Sequence, residues 1–247
     1  MVTTKLYGRL GTQMFQIAAA LGTATRNGTG CKIPILSEEN NTWRTYFTAL
    51  PELEETDKPD LVYKEKGFGY QDIPYVKGEL VCLDGYFQSE KYFDHCRRDI
   101  LAAFQIPYEM LPGAIGIHVR RGDDLRQRSR PLCTMDYYRK AVSYFAEKTY
   151  QVFIVYSDDI AWCKANFKGF PQADVHFLFS SNTNEIKDLE SMACCEHNII
   201  SNSSFSWWGA WLNRNPNKTV IAPEKWFVDG NESLRTNDLI PENWIRM

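Results

Sequence analysis

The sequence predicts an α/β protein in two halves, each a parallel sheet flanked by helices. Three observations predict it. From residue 114 onward, short apolar runs alternate with stretches of helical length, the pattern of βαβ units. One such run, Val152–Tyr156, is apolar without interruption, as a strand buried on both faces of a parallel sheet must be. The stretch from Ile106-Pro107 to Pro112-Gly113 reads as a linker, separating residues 1–112 from 113–247.

The elements follow in order. Met14–Arg26 is an Ala-rich helix stopped by Asn27-Gly28, and Cys31–Leu36 a strand. Residues 37–78, with Pro51, Pro59 and Pro74, read as irregular. Leu80–Phe87 is a strand. Ser89 then caps a helix to about Phe104, with Tyr92, Phe93, Cys96, Ile100 and Phe104 on its apolar face. Past the linker come strand Ala114–Val119, helix Asp136–Lys148, strand Val152–Tyr156 and a helix capped by Asp158 running to Phe167. Strand Val175–Phe179, helix Glu185–Cys195, strand His197–Ser201, a helix over 204–213 and strand Thr219–Ala222 complete the chain.

Composition excludes several function classes. The 247 residues are enough to bury a core without covalent staples, and 44% hydrophobic with 24% charged residues is ordinary globular usage. A net charge of -3 lacks the basic footprint of a dedicated nucleic-acid binder, so an anionic ligand must be met by a few local arginines. No apolar run approaches the ~20 residues of a transmembrane segment. Met1-Val2-Thr3-Thr4-Lys5 does not open like a signal peptide. Seven cysteines, an odd number with Cys194 and Cys195 adjacent, read as reduced, buried thiols, and the expected location is cytoplasmic. There is no C-x-x-C, H-E-x-x-H or D-x-D, so no metal site and a metal-free mechanism are expected. A P-loop and a G-x-S-x-G elbow are also absent.

Four stretches can carry chemistry. In His118-Val119-Arg120-Arg121-Gly122-Asp123-Asp124 an apolar strand delivers an imidazole and two guanidinium forks to its carboxyl end, where ligands of such sheets sit. These residues suit an anion, or a surface ion-pair cluster. In Tyr156-Ser157-Asp158-Asp159 carboxylates at a strand end suit ribose hydroxyls or a guanine edge, or a helix cap. Ser201-Asn202-Ser203-Ser204-Phe205 is a turn into a helix whose free N–H groups suit phosphate, or plain capping. The following Trp207, Trp208 and Trp211 are core aromatics or a sugar-stacking wall. Gly8-Arg9-Leu10-Gly11-Thr12-Gln13 is a G-x-x-G turn between strand and helix.

Those four stretches, taken in chain order from Gly8 and extended through Gln16, Trp162-Cys163 and Trp207-Trp208-Gly209-Ala210-Trp211-Leu212, resemble glycosyltransferase family 11, the α-1,2-fucosyltransferases. The resemblance implies a GT-B-type fold of two Rossmann-like halves, with 1–112 on the acceptor side and 113–247 binding the GDP-sugar. It implies transfer of L-fucose from GDP-fucose to a 2-hydroxyl of a glycan such as a galactoside, with inversion, no metal and no cofactor. The alternatives are transfer from another nucleotide sugar, or a catalytically inactive glycan-binding relative. Carried over, Arg120 resembles the pyrophosphate-binding arginine. His118 and Arg121 belong to the same donor motif, Asp158 and Asp159 resemble guanosine contacts, and Asn202, Ser203, Ser204 and Phe205 the phosphate-binding turn. Arg9, Leu10, Gly11, Thr12 and Gln13 resemble a loop closing over the donor. Thr12 departs from the Asn of the family pattern. Arg120, neutralising the leaving diphosphate, and Asp123, as general base, are the candidate catalytic residues.

Overall fold

A computed structural model describes residues 1–35, 47, 50–53, 57–74, 77–121, 133–148, 150, 152–170, 174–182, 184–227 and 236–247. The chain forms two compact units, Met1–Gln105 with Glu232–Pro241 and Ile106–Asn231 with Glu242–Met247. The division thus falls at Gln105 and not after residue 112. Gln105, at φ +49°, ends the preceding helix in left-handed backbone, and the stretch read as a linker already enters a strand at Leu111. The late return to the first unit has no sequence signal. Asp238 ties it there, accepting from the Tyr70 backbone N–H at 3.0 Å and pairing with Lys91 at 2.5 Å.

The first unit holds β1 (Val2–Thr4), β2 (Ile33–Pro34), β3 (Glu52–Leu53), β4 (Leu61–Lys64) and β5 (Val81–Asp84). β1, β5 and β4 form a parallel sheet in that order, and β2 pairs parallel with β3. β3 and β4 fall in the stretch read as irregular, too short to show an apolar run. Helix α1 (Leu10–Arg26) starts ahead of the expected Met14, because Arg9 is extended and its carbonyl accepts from the Thr12 and Gln13 N–H groups. Leu10, Gly11, Thr12 and Gln13 are therefore the first helical turn and not a loop. The helix expected from Ser89 is broken at Phe93, whose backbone at φ -146° and ψ 2° leaves the helical region. Two 3-10 turns, Glu90–Tyr92 and Asp94–Cys96, precede α2 (Arg97–Phe104).

The second unit is a six-stranded sheet, parallel throughout, in the order β11-β10-β9-β6-β7-β8. Its strands are β6 (Leu111–Val119), β7 (Val152–Ser157), β8 (His176–Phe179), β9 (Cys195–Ile199), β10 (Val220–Ala222) and β11 (Ile245–Arg246). Helices α3 (Met135–Ala146), α4 (Ile160–Asn166), α5 (Glu185–Cys194) and α6 (Ser204–Leu212) cover it. Ile115, Ile117 and Val119 of β6 pack with Tyr138, Ala141, Val142 and Phe145 of α3. Tyr156 and Cys195 pack with Met192 and Phe205. Burial on both faces explains the uninterrupted apolar runs. The predicted α/β class, parallel sheets flanked by helices, is the class the chain adopts. Trp207, Trp208 and Trp211 are buried against one another and Trp244, so they are core and not a sugar-stacking wall. Among the described residues no helix is long and apolar enough to cross a membrane.

Candidate functional site

Two central strands of the second unit, β6 and β7, end level with one another, and β9 ends two residues earlier. Val119 of β6 is in register with Ser157 of β7, and Ile117 with Ile199 of β9. The residues just past these ends, Arg120-Arg121, Asp158-Asp159 and Ile200 to Ser203, share one edge of the sheet, the carboxyl edge where parallel α/β sheets bind ligands. β9 ends at Ile199 and not at Ser201, which frees Ser201 to turn onto its neighbour.

Asp158 is the hub of this edge. Its Oδ2 pairs with Arg120 Nη1 at 2.6 Å, and its Oδ1 accepts the Arg121 backbone N–H at 2.9 Å. One carboxylate thus fixes both the strand-end chain and the aim of the Arg120 guanidinium. The cap expected of Asp158 falls to Asp159, which stands directly before the first helical residue. Its Oδ1 accepts the Trp162 N–H at 3.0 Å.

The two arginines have different surroundings. Arg121 lies over the Trp162 ring at 3.7 Å, a cation–π contact, with Nε 3.5 Å from Asp159 Oδ2. That Nε is buried and makes no hydrogen bond among the described residues. Arg121 is turned onto α4, and Arg120 is held by a carboxylate at the strand end. Two matched forks are not what this edge presents.

His118 is buried, with Nδ1 2.8 Å from Ser201 Oγ and its ring 5.4 Å from that of Phe205. Burial drives its pKa down to about 3; Asp158 opposes and Arg120 reinforces that shift. The imidazole is neutral across the working range and brings a hydrogen-bonding group, not a charge. Tyr138 Oη donates to the His118 carbonyl at 3.2 Å.

The turn after β9 is tightly braced. The Ser203 N–H donates to the Ser201 carbonyl at 2.8 Å, and Ser206 Oγ donates to the Ser201 and Ser203 carbonyls. Asn202 is buried, its amide donating to the Trp226 carbonyl at 3.3 Å. Ser203 stands at the N-cap of α6 with no side-chain cap bond, and Ser204 and Phe205 form the first turn. That turn's N–H groups lack intrahelical acceptors and carry the positive end of the helix dipole. Asp123 lies outside the described residues. Ser201, read both as a strand end and as the start of the turn, lies in the turn and meets His118 because β9 ends at Ile199. Trp162 was missed as a partner of Arg121, although its place three residues past Asp159 on a capped helix puts it beside the strand end. Among the described residues no three His, Cys, Asp or Glu side chains gather as a metal site requires.

In the first unit, Gly8 adopts φ +77°, and a Cβ there would meet Thr12 at 3.2 Å. Gln13 Nε2 donates to the Gly8 carbonyl at 3.1 Å. Arg9 is exposed; Leu10 and Gly11 are buried. The strand-to-helix turn is thus closed by its own helix, with one arginine outward.

Residues 111–247 match the family described as Glycosyl transferase family 11. An O-antigen biosynthesis glycosyltransferase, WbnK, of Escherichia coli is 34% identical over 189 residues, covering 67% of this chain and 60% of its own length. An alpha-1,2-colitosyltransferase of Escherichia coli is 28% identical over an alignment covering 100% of this chain and 98% of that protein. A galactoside 2-alpha-L-fucosyltransferase, SEC1, of Bos taurus is 27% identical, covering 85% of this chain and 64% of that protein. The chain therefore spans less than two thirds of the first and third of these relatives and nearly all of the second.

Proposed function

This chain belongs to glycosyl transferase family 11, and from that premise we propose that it moves a 6-deoxy-L-hexose, L-fucose, from GDP-fucose to the 2-hydroxyl of a glycan, with inversion and without metal or cofactor. The observation that carries the reading is the Arg120–Asp158 pair at 2.6 Å, set beside the first turn of α6 by the strand register. A GT-B-type use of the two units, donor on the second and acceptor on the first, is part of this reading.

The hard step is departure of the sugar from the diphosphate, which gains negative charge as the glycosidic bond lengthens. A guanidinium already aimed by a carboxylate meets that charge without reorganising, and the α6 N–H groups add dipoles of the same sense. His118, kept neutral, supplies a hydrogen bond at the same edge without competing for the anion. The acceptor hydroxyl attacks the opposite face of the sugar and gives up its proton, for which Asp123 is the proposed base. Asp158, engaged by both arginines, acts in this scheme by positioning Arg120.

The full-length match to a colitosyltransferase favours a second donor. Colitose differs from fucose by one missing hydroxyl, so the same edge serves both sugars. Incubation with GDP-fucose or GDP-colitose and lactose, reading GDP release and product linkage, tests both. A 1,2-linked product supports the reading; a product with another linkage, or no GDP from either donor, ends it.

A further inference from the structure

Three aromatic side chains of the first unit converge from three separate strand ends. Tyr7 follows β1, Phe68 follows β4 and Tyr86 follows β5, all at the carboxyl edge of that sheet. The Phe68 and Tyr86 rings stack, 5.4 Å apart and tilted by 14°, and the Tyr7 ring meets Tyr86 edge-on at 5.3 Å. Tyr86 remains 42% exposed. At the same strand ends Lys5 pairs with Asp84 at 2.7 Å, so charged groups adjoin the aromatic cluster.

The cluster is built rigidly. Glu65 accepts the Tyr86 N–H at 2.6 Å and the Phe87 N–H at 3.0 Å. Gly85 has no room for a side chain, since a Cβ there would stand 2.3 Å from Glu65 Cβ. Phe87 is held at φ +50°, a conformation that surrounding structure must enforce on a bulky residue. The buried Gln16 amide joins two of the loops, accepting from the Tyr7 N–H at 3.2 Å and donating to the Gly85 carbonyl at 3.1 Å. The braced backbone sets the Tyr86 ring on Phe68 and leaves 42% of the residue open to solvent.

We propose that Tyr86, seated on Phe68 and flanked by Tyr7, is a specificity platform for the acceptor, taking the apolar C–H face of a hexopyranoside while the Asp84–Lys5 edge meets its hydroxyls. A neutral pyranoside matches such a surface: one face presents C–H groups to an aromatic ring, and the edge presents donors and acceptors. The inference rests on the glycosyl-transfer reading and names the acceptor side of it.

The test pairs kinetics with binding. Tyr86→Ala is expected to raise the acceptor KM about tenfold with the donor KM unchanged, and Tyr86→Phe, which keeps the ring, to stay within about twofold of the parent. An unchanged acceptor KM in Tyr86→Ala, or a Tyr86→Phe variant as impaired as Tyr86→Ala, overturns the platform. Saturation-transfer NMR on the parent protein, with methyl β-galactoside, β-glucoside and N-acetyl-β-galactosaminide as probes, needs neither donor nor turnover. Transfer concentrated on one ring face of any probe supports the platform, and no transfer to any of the three overturns it. A protein that binds a probe yet releases no GDP from either nucleotide sugar would sink the transfer reading and leave the platform standing.

Discussion

The carboxyl edges of the two sheets are built alike and finished differently. In each unit, parallel strands end within two residues of one another, and the residues just beyond them are braced by buried polar side chains. The second unit finishes its edge with Arg120, Asp158, neutral His118 and the first turn of α6, a surface for an anion. The first unit finishes its edge with Tyr7, Phe68 and Tyr86, a surface for a neutral, partly apolar ligand. The strand ends supply position and the side chains supply the chemistry, so one architecture presents two different kinds of surface.

The largest test of that contrast is Arg120→Ala. Removing a preorganised cation from the leaving group is expected to lower kcat about 100–1000-fold. A steady-state assay showing parent-like turnover would erase the anion edge. Asp158→Asn is expected to cost about 1.5–3 kcal/mol of transition-state stabilisation, roughly 10–150-fold in kcat/KM, with Arg120 still present. If Asp158 acts through Arg120, the double variant is no worse than Arg120→Ala alone; additive losses would give Asp158 a separate job.

Two glycines sharpen the comparison at the level of packing. A Cβ on Gly22 in α1 would stand 2.2 Å from the Tyr92 carbonyl oxygen, which is backbone and cannot step aside. Gly22→Ala is therefore expected to destabilise the first unit by about 1–3 kcal/mol. A Cβ on Gly209 in α6 would meet Met192 Cε at 2.9 Å and Cβ at 3.0 Å, partly the movable end of a flexible side chain. Gly209→Ala is expected to cost less, under about 1.5 kcal/mol. Denaturant melts of the two variants decide it, and a larger loss at Gly209 contradicts the packing argument.

A pH response of opposite sign is expected in the two units. His118 is held neutral in the fold, with its pKa lowered from 6.5 to about 3, so its contribution is whole above pH 6.5 and is lost as pH falls toward 3. His197 shifts the same way through burial, and its Nδ1 accepts the Thr219 N–H at 2.9 Å, a bond that protonation forbids. Glu65 in the first unit is raised by burial despite two backbone donors, so its contribution grows as pH falls through its folded value. Mild acid should loosen the second unit first. Fluorescence follows that unit through Trp162, Trp207, Trp208, Trp211, Trp226 and Trp244, and hydrogen exchange at Tyr86 and Phe87 follows the other. Earlier exchange at Tyr86 and Phe87 would reverse the assignment.

Much of the second unit was legible because apolar runs long enough to cross a sheet stop abruptly at polar residues. Val119 passes to Arg120 and Tyr156 to Ser157-Asp158, and those steps mark strand ends to within a residue or two. The first unit was less legible. β2, β3 and β4 are two to four residues long, and strands so short carry no periodicity to read. Tyr7, Phe68 and Tyr86 lie far apart in sequence, Phe68 in the stretch read as irregular and Tyr86 inside a strand read too long, and no local pattern brings them together.

The amino-acid order by itself determined the α/β class, the strand ends that carry arginine, aspartate and serine, and the family, because hydrophobic runs and residue chemistry are local properties. Only the tertiary structure decided that Asp158 aims Arg120 while Asp159 caps the helix, that Arg121 is turned onto Trp162, and that His118 is uncharged. It alone decided that three distant aromatics meet. Each of these depends on strand register and burial, which arise when segments distant in sequence pack against one another.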